Sequence, residues 1–377
     1  MAQTEQRARP RVRAGFLVVV VVAIGLLFGV PWLTLVLPWP PVVVVIGAVV
    51  FVGAAIAFPF LMFLGHGRGR DWAARVGDTL LGVVWVLFAW SVLGLVARLV
   101  LPGRAVAVAV LVVAVVLIAW GVHEAMRVPR VRRVDVVLPR LGPDLDGTTV
   151  VVLADTHFGP INRVRWSEGT AAAVNALRPD IVCHAGDIAD GSVAQRREQA
   201  APLGTIEAGL ARVYVTGNHE YFGEAQVWLD HMASLGWEAL HNRHVVVSRG
   251  SSRLVLAGID DATAKASGLE GHGAQLDAAL AGAPEDAPVL LVAHQPRQVV
   301  QAAAGGVDLQ VSGHTHGGQI WPFHYLVRVD QPTVQGLTRH GQTQLYTSRG
   351  AGFWGPPMRI FAPSEITLIT LRATPNG

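Results

Sequence analysis

The 377-residue sequence contains a single cysteine, Cys183. One thiol cannot form a disulfide within the chain, and it cannot build a zinc site from several thiolates. A single free thiol also fits a reducing compartment. Any metal centre in this protein must therefore use carboxylate, imidazole, amide or carbonyl groups.

Acidic residues are scarce in the first third of the chain. Residues 1–126 hold only two of the fourteen histidines and four acidic side chains: Glu5, Asp71, Asp78 and Glu124. The remainder carries most of the charge and twelve histidines. The contrast predicts two regions that face different solvents.

The scarcity of charge coincides with four long apolar runs, at residues 15–37, 42–64, 79–101 and 105–126. A helix that crosses a membrane needs roughly 20 mainly apolar residues. The alternative is a buried soluble bundle, but its helices would show a polar face every 3.6 residues, and these runs show none. Residues 1–126 are therefore predicted to form four transmembrane helices.

Arginines are unevenly distributed around these runs. They cluster before the first run, at Arg7, Arg9, Arg11 and Arg13, between the second and third runs, and after the fourth. The positive-inside rule then predicts a multi-pass protein of the cell (inner) membrane with its N-terminus and its C-terminal domain in the cytoplasm. The net charge of +3 needs no nucleic-acid partner, because these arginines would meet anionic membrane lipids.

The rest of the chain reads as an α/β domain. Residues 127–145 are predicted to be a juxtamembrane linker with a first strand at 134–138, and residues 146–377 a second domain in which strands alternate with helices. The predicted strands are 149–154, 181–184, 213–216, 254–257, 289–293, 309–312, 344–347 and 366–371. The predicted helices are 167–177, 194–208, 224–235, 273–280 and 296–304.

Five short polar segments follow predicted strands. They are DTH at 155–157, GDIAD at 186–190, GNHE at 217–220, His294, and GHTH at 313–316. Open α/β sheets bind ligands beyond the carboxyl ends of their strands. One Asp-x-His alone usually caps a turn, but five such segments at strand ends predict a common site.

The donor types restrict the metal. Carboxylate, amide and imidazole groups without thiolate suit Mn²⁺, Fe or Zn²⁺, and histidines disfavour Ca²⁺ and Mg²⁺. Seven candidate ligands exceed what one ion needs. Two divalent ions that share a carboxylate would use them all and leave positions for water and phosphate.

In this order, the segments resemble the pattern of the calcineurin-like metallophosphoesterases: DxH, GDxxD, GNH[ED], a lone His and GHxH. The resemblance implies a four-layer αββα sandwich over residues 135–377. It also implies that one metal is bound by Asp155, His157 and His316, the other by Asn218, His294 and His314, and that Asp187 bridges them. The segment GHTHGGQIWPF and the C-terminal residues further resemble a bacterial membrane-associated branch that includes YkuE-like phosphodiesterases and YaeI-type UDP-2,3-diacylglucosamine pyrophosphatases.

The resemblance also assigns catalytic roles. His219 is expected to face the scissile phosphate and protonate the leaving oxygen, and Asp190 to hold that imidazole, although a helix-capping Asp is the alternative for Asp190. Arg349 and Arg359 are expected to contact the substrate phosphate, with surface ion pairs as the alternative. Trp321, Phe323, Phe353 and Trp354 lie in Gly/Pro-rich loops and are expected either to form an apolar lip that faces lipid or to pack ordinarily.

The sequence thus predicts a membrane-anchored phosphoesterase that hydrolyses a phosphodiester or pyrophosphate, with a lipid-linked or nucleotide-sugar-lipid substrate favoured by the anchor. A phosphomonoesterase is one alternative, and a non-catalytic metal- or nucleotide-binding membrane sensor is another. A transporter is disfavoured, because no predicted span carries a charged residue at mid-membrane depth.

Overall fold

The computed structural model describes residues 14–374, so the arginines at 7, 9, 11 and 13 lie outside the described residues. Four helices in this part are long and apolar enough to cross a membrane. They are α1 (Ala14–Leu35), α2 (Pro41–Met62), α3 (Asp71–Ala97) and α4 (Gly103–Met126). The prediction of four long apolar helices is confirmed.

Helix α3 begins at Asp71, well before its apolar run. Small residues at its start, Ala73 and Ala74, are buried, and the backbone of Ala74 lies so close to Gly65 that a side chain at 65 would clash. Across the same turn, His66 Nε2 lies 2.9 Å from Asp78 Oδ1. Close packing of the α2–α3 hairpin therefore extends α3 beyond the apolar span.

The C-terminal part contains two mixed six-stranded sheets. Its strands are β1 (Arg130–Leu138), β2 (Thr149–Leu153), β3 (Ile181–His184), β4 (Ala211–Tyr214), β5 (Glu238–Ala239), β6 (Arg243–Arg249), β7 (Ser252–Gly258), β8 (Val289–Val292), β9 (Leu309–Ser312), β10 (Gly336–His340), β11 (Thr343–Thr347) and β12 (Glu365–Ala373). The first sheet has the order β1-β12-β2-β3-β4-β5 and the second β10-β11-β9-β8-β7-β6.

Helices complete the layers. They are α5 (Val164–Ala176), α6 (Val193–Ala200), α7 (Asn218–Tyr221), α8 (Ala225–Ser234), α9 (Leu276–Leu280), α10 (Val299–Ala304) and α11 (His324–Asp330). Between the sheets lies an apolar core that includes Val152, Cys183 and Leu290. Further apolar clusters separate the first sheet from α5 and α8, and the second sheet from α9 and α10. The predicted α/β fold, a four-layer αββα sandwich, is confirmed.

The C-terminal domain packs directly on the spanning helices. Ile320, Met358 and Ile360 form a buried cluster with Val86 of α3 and Ala114 of α4. The backbone N–H of Arg359 donates to the carbonyl of Gly121 in α4 at 2.9 Å, where a side chain at 121 would clash with Ile360. The helices α3 and α4 therefore pack as part of the C-terminal domain and are not merely tethered to it.

Candidate active site

The five polar segments meet where strands of both sheets end. β2, β3 and β4 are neighbouring parallel strands of the first sheet, and β8 and β9 are parallel neighbours in the second. Their carboxyl ends bring together the seven side chains that the sequence singled out. Three groups in this cluster each place their His and Asp ligand atoms within 4.8 Å of one another.

The first half of the cluster consists of Asp155, His157 and His316. The Nε2 atoms of His157 and His316 face each other at 3.1 Å, and His316 Nε2 lies 3.8 Å from Asp155 Oδ1. All three residues are buried. Two imidazole nitrogens and a carboxylate oxygen thus point at one small volume.

The second half gathers around Asn218. Its Oδ1 lies 3.1 Å from His294 Nε2 and 2.9 Å from His314 Nδ1. Asp187 lies between the halves, because its Oδ2 is 3.2 Å from His294 Nε2 and 3.4 Å from His157 Nε2. This is the position that a bridging carboxylate would need.

The hydrogen bonds of two imidazoles test whether the cluster suits cations. His157 Nδ1 lies 2.9 Å from the Asp190 carboxylate, and His294 Nδ1 lies 2.7 Å from the carbonyl of Ala185. Because both partners only accept, each Nδ1 carries a proton, which leaves each Nε2 available to direct a lone pair at a bound cation. The donor set therefore fits two divalent cations, and the seven residues that the sequence predicted could hold them.

The backbone of these loops is strained. Five of the seven residues have positive φ angles: Asp155 at 55°, His157 at 41°, Asp187 at 54°, His314 at 71° and His316 at 51°. Such conformations cost non-glycine residues about 1–3 kcal/mol each and cluster at functional sites. The fold tolerates them because this backbone turns the side chains inward.

Two of the neighbouring glycines are required by close approach rather than by φ. A Cβ at Gly217 would overlap the Asp187 carboxylate, and one at Gly313 would lie 2.5 Å from Asp155 Oδ2. Gly186 differs, because its φ is +88°. Side chains are therefore disfavoured at all three positions.

His219 and Asp190 form a hydrogen-bonded pair at the edge of the cluster. His219 Nδ1 lies 2.7 Å from Asp190 Oδ1, the same oxygen that faces His157. Burial lowers the pKa of His219, but the charges of Asp187 and Asp190 outweigh it and raise the pKa to about 9. An imidazole held in this way keeps its proton at neutral pH.

A buried glutamate that the sequence reasoning left without a role ties two of the loops together. The Glu220 carboxylate accepts hydrogen bonds from the backbone N–H groups of Gly217 at 2.7 Å, Asp187 at 3.0 Å and Ile188 at 2.8 Å. Burial and the charge of Asp187 raise its pKa to about 7. The only feature of the sequence that marked Glu220 was its position as the last residue of the GNHE segment.

Arg163 is a second supporting residue, and no motif marked it. Its buried Nη2 donates to the carbonyls of Thr156 at 2.5 Å and His157 at 2.7 Å, and its guanidinium stacks 4.4 Å from the Phe353 ring. It therefore fixes the loop that carries Asp155 and His157.

The structure does not place either predicted arginine against a substrate. Arg359 is fully buried, and its guanidinium donates to the carbonyls of His316 and Arg349 and contacts His316 Nδ1 at 3.1 Å. The expectation of a phosphate contact for Arg359 is therefore corrected, because no donor of this side chain reaches solvent. Arg349 instead pairs with buried Glu365 at 2.7 Å.

A cavity of about 380 Å³ opens beside the cluster. His157, Asp187, Asn218, His219, His314 and His316 line its floor. Its walls are largely apolar: Leu81 and Trp85 come from α3, Phe323 and Val327 from the α11 region, and Phe222 and Trp354 from loops of the domain. The sequence could not show that a membrane helix forms part of this wall.

One further group of potential metal ligands lies outside the cavity. His241 and His272 flank the buried carboxylate of Asp260. Asp260 already accepts from His241 at 2.7 Å, and His272 already contacts Tyr221 at 3.0 Å. Hydrogen bonds therefore satisfy this group.

Two mixed sheets between helical layers, with seven metal-ligand side chains at their strand ends, define the metallophosphoesterase class. The chain belongs to the calcineurin-like phosphoesterase family, whose model matches residues 148–318. The resemblance proposed from the motifs is thereby confirmed.

The relatives include membrane proteins. A "Transmembrane protein with metallophosphoesterase domain" from Danio rerio is 34% identical over 82% of this chain and 76% of its own length. The metallophosphoesterase YkuE from Bacillus subtilis is 28% identical over 61% of this chain and 80% of its own. Among solved structures, a dimetal phosphatase from Danio rerio matches 60% of this chain and 99% of its own with a TM-score of 0.40 and 15% identity.

We expect Asp190→Asn to shift the alkaline limb of the pH profile of kcat/KM to lower pH. The Asp190 carboxylate raises the pKa of His219, so its neutralisation lets the imidazolium lose its proton earlier, by about 1 to 3 pH units. The profile is measured at saturating metal, with exposed Asp286→Asn as the matched control. An unchanged alkaline limb in Asp190→Asn would contradict the assigned pairing.

Proposed function

We propose that this protein hydrolyses a phosphodiester or pyrophosphate bond with two divalent cations, of which Mn²⁺, Fe and Zn²⁺ suit the donor set. Asp155, His157 and His316 would hold one cation, Asn218, His294 and His314 the other, with Asp187 between them. The cations would supply charge neutralisation on the phosphoryl group and activation of a water. The observation that carries the proposal is the His219–Asp190 pair beside this cluster.

His219 supplies the proton in this scheme. Its Nδ1 is held by Asp190, while its Nε2 lies 4.0 Å from Asp187 Oδ2 on the cavity floor. A protonated Nε2 in this position can donate to the leaving oxygen. Asp190 positions the ring and keeps it protonated.

The charge of the cavity favours a diester or pyrophosphate over a monoester. Among the described residues that line it, none is a lysine or arginine. A monoester dianion would benefit from such a cation, whereas a phosphodiester carries one negative charge and a second substituent. The largely apolar walls offer a place for that substituent.

We expect Asp187→Asn to abolish hydrolysis of bis-p-nitrophenyl phosphate with Mn²⁺ in detergent, because the bridging charge is lost. His219→Ala should lower kcat about 10²- to 10⁴-fold through loss of the proton donor. His340→Ala, on edge strand β10, is the matched control and should retain activity. Wild-type-like turnover in both site variants would refute the roles, and an inactive, metal-loaded wild-type protein would favour the sensor alternative.

We further propose that the substrate is lipid-linked. The wall that faces the metal ligands contains Leu81 and Trp85, which belong to a helix that is long and apolar enough to cross a membrane. An apolar chain that enters from the bilayer would contact this wall while its phosphate reaches the cluster. A soluble nucleotide would leave most of this apolar surface without a partner.

We expect Trp85→Ala to lower kcat/KM for dodecyl p-nitrophenyl phosphate about tenfold and to leave methyl p-nitrophenyl phosphate unchanged. The expected loss comes from removed apolar contact with the dodecyl group of the substrate. Leu81→Ala should act in the same direction, and Trp72→Ala, exposed on the same helix, is the control. An equal loss for both substrates would contradict a chain-binding wall.

We also propose that the C-terminal domain lies in the cytoplasm, at the inner membrane. Arg68, Arg70 and Arg75 lie in the α2–α3 region, and Arg127 and Arg130 follow α4, on the side of the domain. The positive-inside rule places such residues in the cytoplasm. A green fluorescent protein fused after residue 377 should fluoresce, and an alkaline phosphatase fusion should be inactive; the reverse result would invert the orientation.

A further inference from the structure

The short helix α11 is held against the membrane region by aromatic contacts that immediately precede it. The Phe323 ring lies 5.7 Å from Trp85, and the Trp321 ring lies 5.8 Å from Trp90. Trp85 Nε1 also donates to the carbonyl of Ile320 at 3.3 Å. The start of α11 is therefore fixed relative to α3.

These contacts occur within the apolar span. The apolar run of α3 begins at residue 79, so Trp85 lies about 9 Å and Trp90 about 16 Å along it, at 1.5 Å per residue. On α4, the Trp120 ring similarly lies 5.7 Å from Phe361 of the C-terminal domain. The contacts of Trp85 and Trp120 therefore lie about 9 Å inside the ends of their apolar runs, and the contact of Trp90 lies near the middle of its run.

The outer side of α11 is apolar and uncovered. Tyr325, Leu326 and Val329 are 60%, 55% and 85% exposed, and their spacing puts them on neighbouring positions of one helical face. Asp330, by contrast, pairs with Arg297 at 3.2 Å. On the inner side, Val327 lines the catalytic cavity.

We propose that α11 lies in the bilayer interface, with Tyr325, Leu326 and Val329 among the lipid chains. The Phe323–Trp85 contact holds the start of α11 beside the apolar run of α3, whose exposed side chains would face lipid as well. Lipid is therefore the partner whose chemistry matches the exposed face of α11. The polar side of the helix, with Arg328, would meet headgroups.

The position has a consequence for access to the cavity. Because Val327 faces the cavity and Val329 faces outward, α11 separates the metal cluster from the bilayer. If the substrate is lipid-linked, as proposed above, it passes this helix. The interfacial position itself does not depend on that activity.

The single native cysteine makes a direct test possible. Cys183 is buried with no exposed surface, so Val329→Cys supplies the one accessible thiol for a nitroxide label in the full-length protein. The matched control is Val300→Cys on α10, where the valine is 77% exposed on the outer helical layer of the second sheet. Both proteins are reconstituted in nanodiscs of phosphatidylethanolamine and phosphatidylglycerol.

Collision rates with oxygen, which partitions into lipid, and with a neutral nickel chelate, which stays in water, are then compared. We expect the ratio of oxygen to nickel accessibility to be severalfold higher at 329 than at 300, and Leu326→Cys to behave like 329. A label at 329 and at 326 with the same ratio as 300 would overturn the proposal. Because the readout is independent of turnover, an inactive protein with a lipid-exposed label would refute only the proposed activity.

Discussion

The constraint on which the site depends is the burial of carboxylates and imidazoles at the junction of two sheets. Removing such groups from water costs several kcal/mol unless partners compensate. The chain supplies some compensation itself, through the carbonyl of Ala185, which accepts from His294, and the backbone N–H of His314, which donates to Asp155. Bound cations would add a further partner for the inward-facing Nε2 atoms of His157 and His294. Strained loops, close glycines and buried supporting residues all follow from holding these groups in one place.

Much of the fold could be predicted because many of its strands can be recognised from a few consecutive residues. Strands β3 and β9 are short and fully buried, and their predicted bounds agree with the structure. The edge strands β5, β6 and β10 were not predicted, because a strand such as Arg243–Arg249 or Gly336–His340 mixes exposed basic residues with apolar ones. Pairing with a neighbour, which sequence alone does not display, determines such strands.

The candidate site could be predicted in part, again from short segments of the sequence. Ligand side chains follow buried strands directly, so their convergence could be anticipated from sheet geometry. Arg359 could not be placed in that way, because its burial depends on loops that are distant in sequence. The apolar wall from α3 was also invisible, since Leu81 and Trp85 look like any lipid-facing residues until the domain docks on them.

A single oxygen, Oδ1 of Asp190, contacts both His157 and His219. The basicity of a metal-ligand ring and the acidity of a proton donor are thereby coupled through one atom. A substitution that changes the pKa of His219 alone would have to keep the Asp190 carboxylate and alter the other side of the His219 ring. There, Phe222 lies 5.0 Å from His219 and Trp354 lies 6.1 Å away, so aromatic packing offers the independent adjustment.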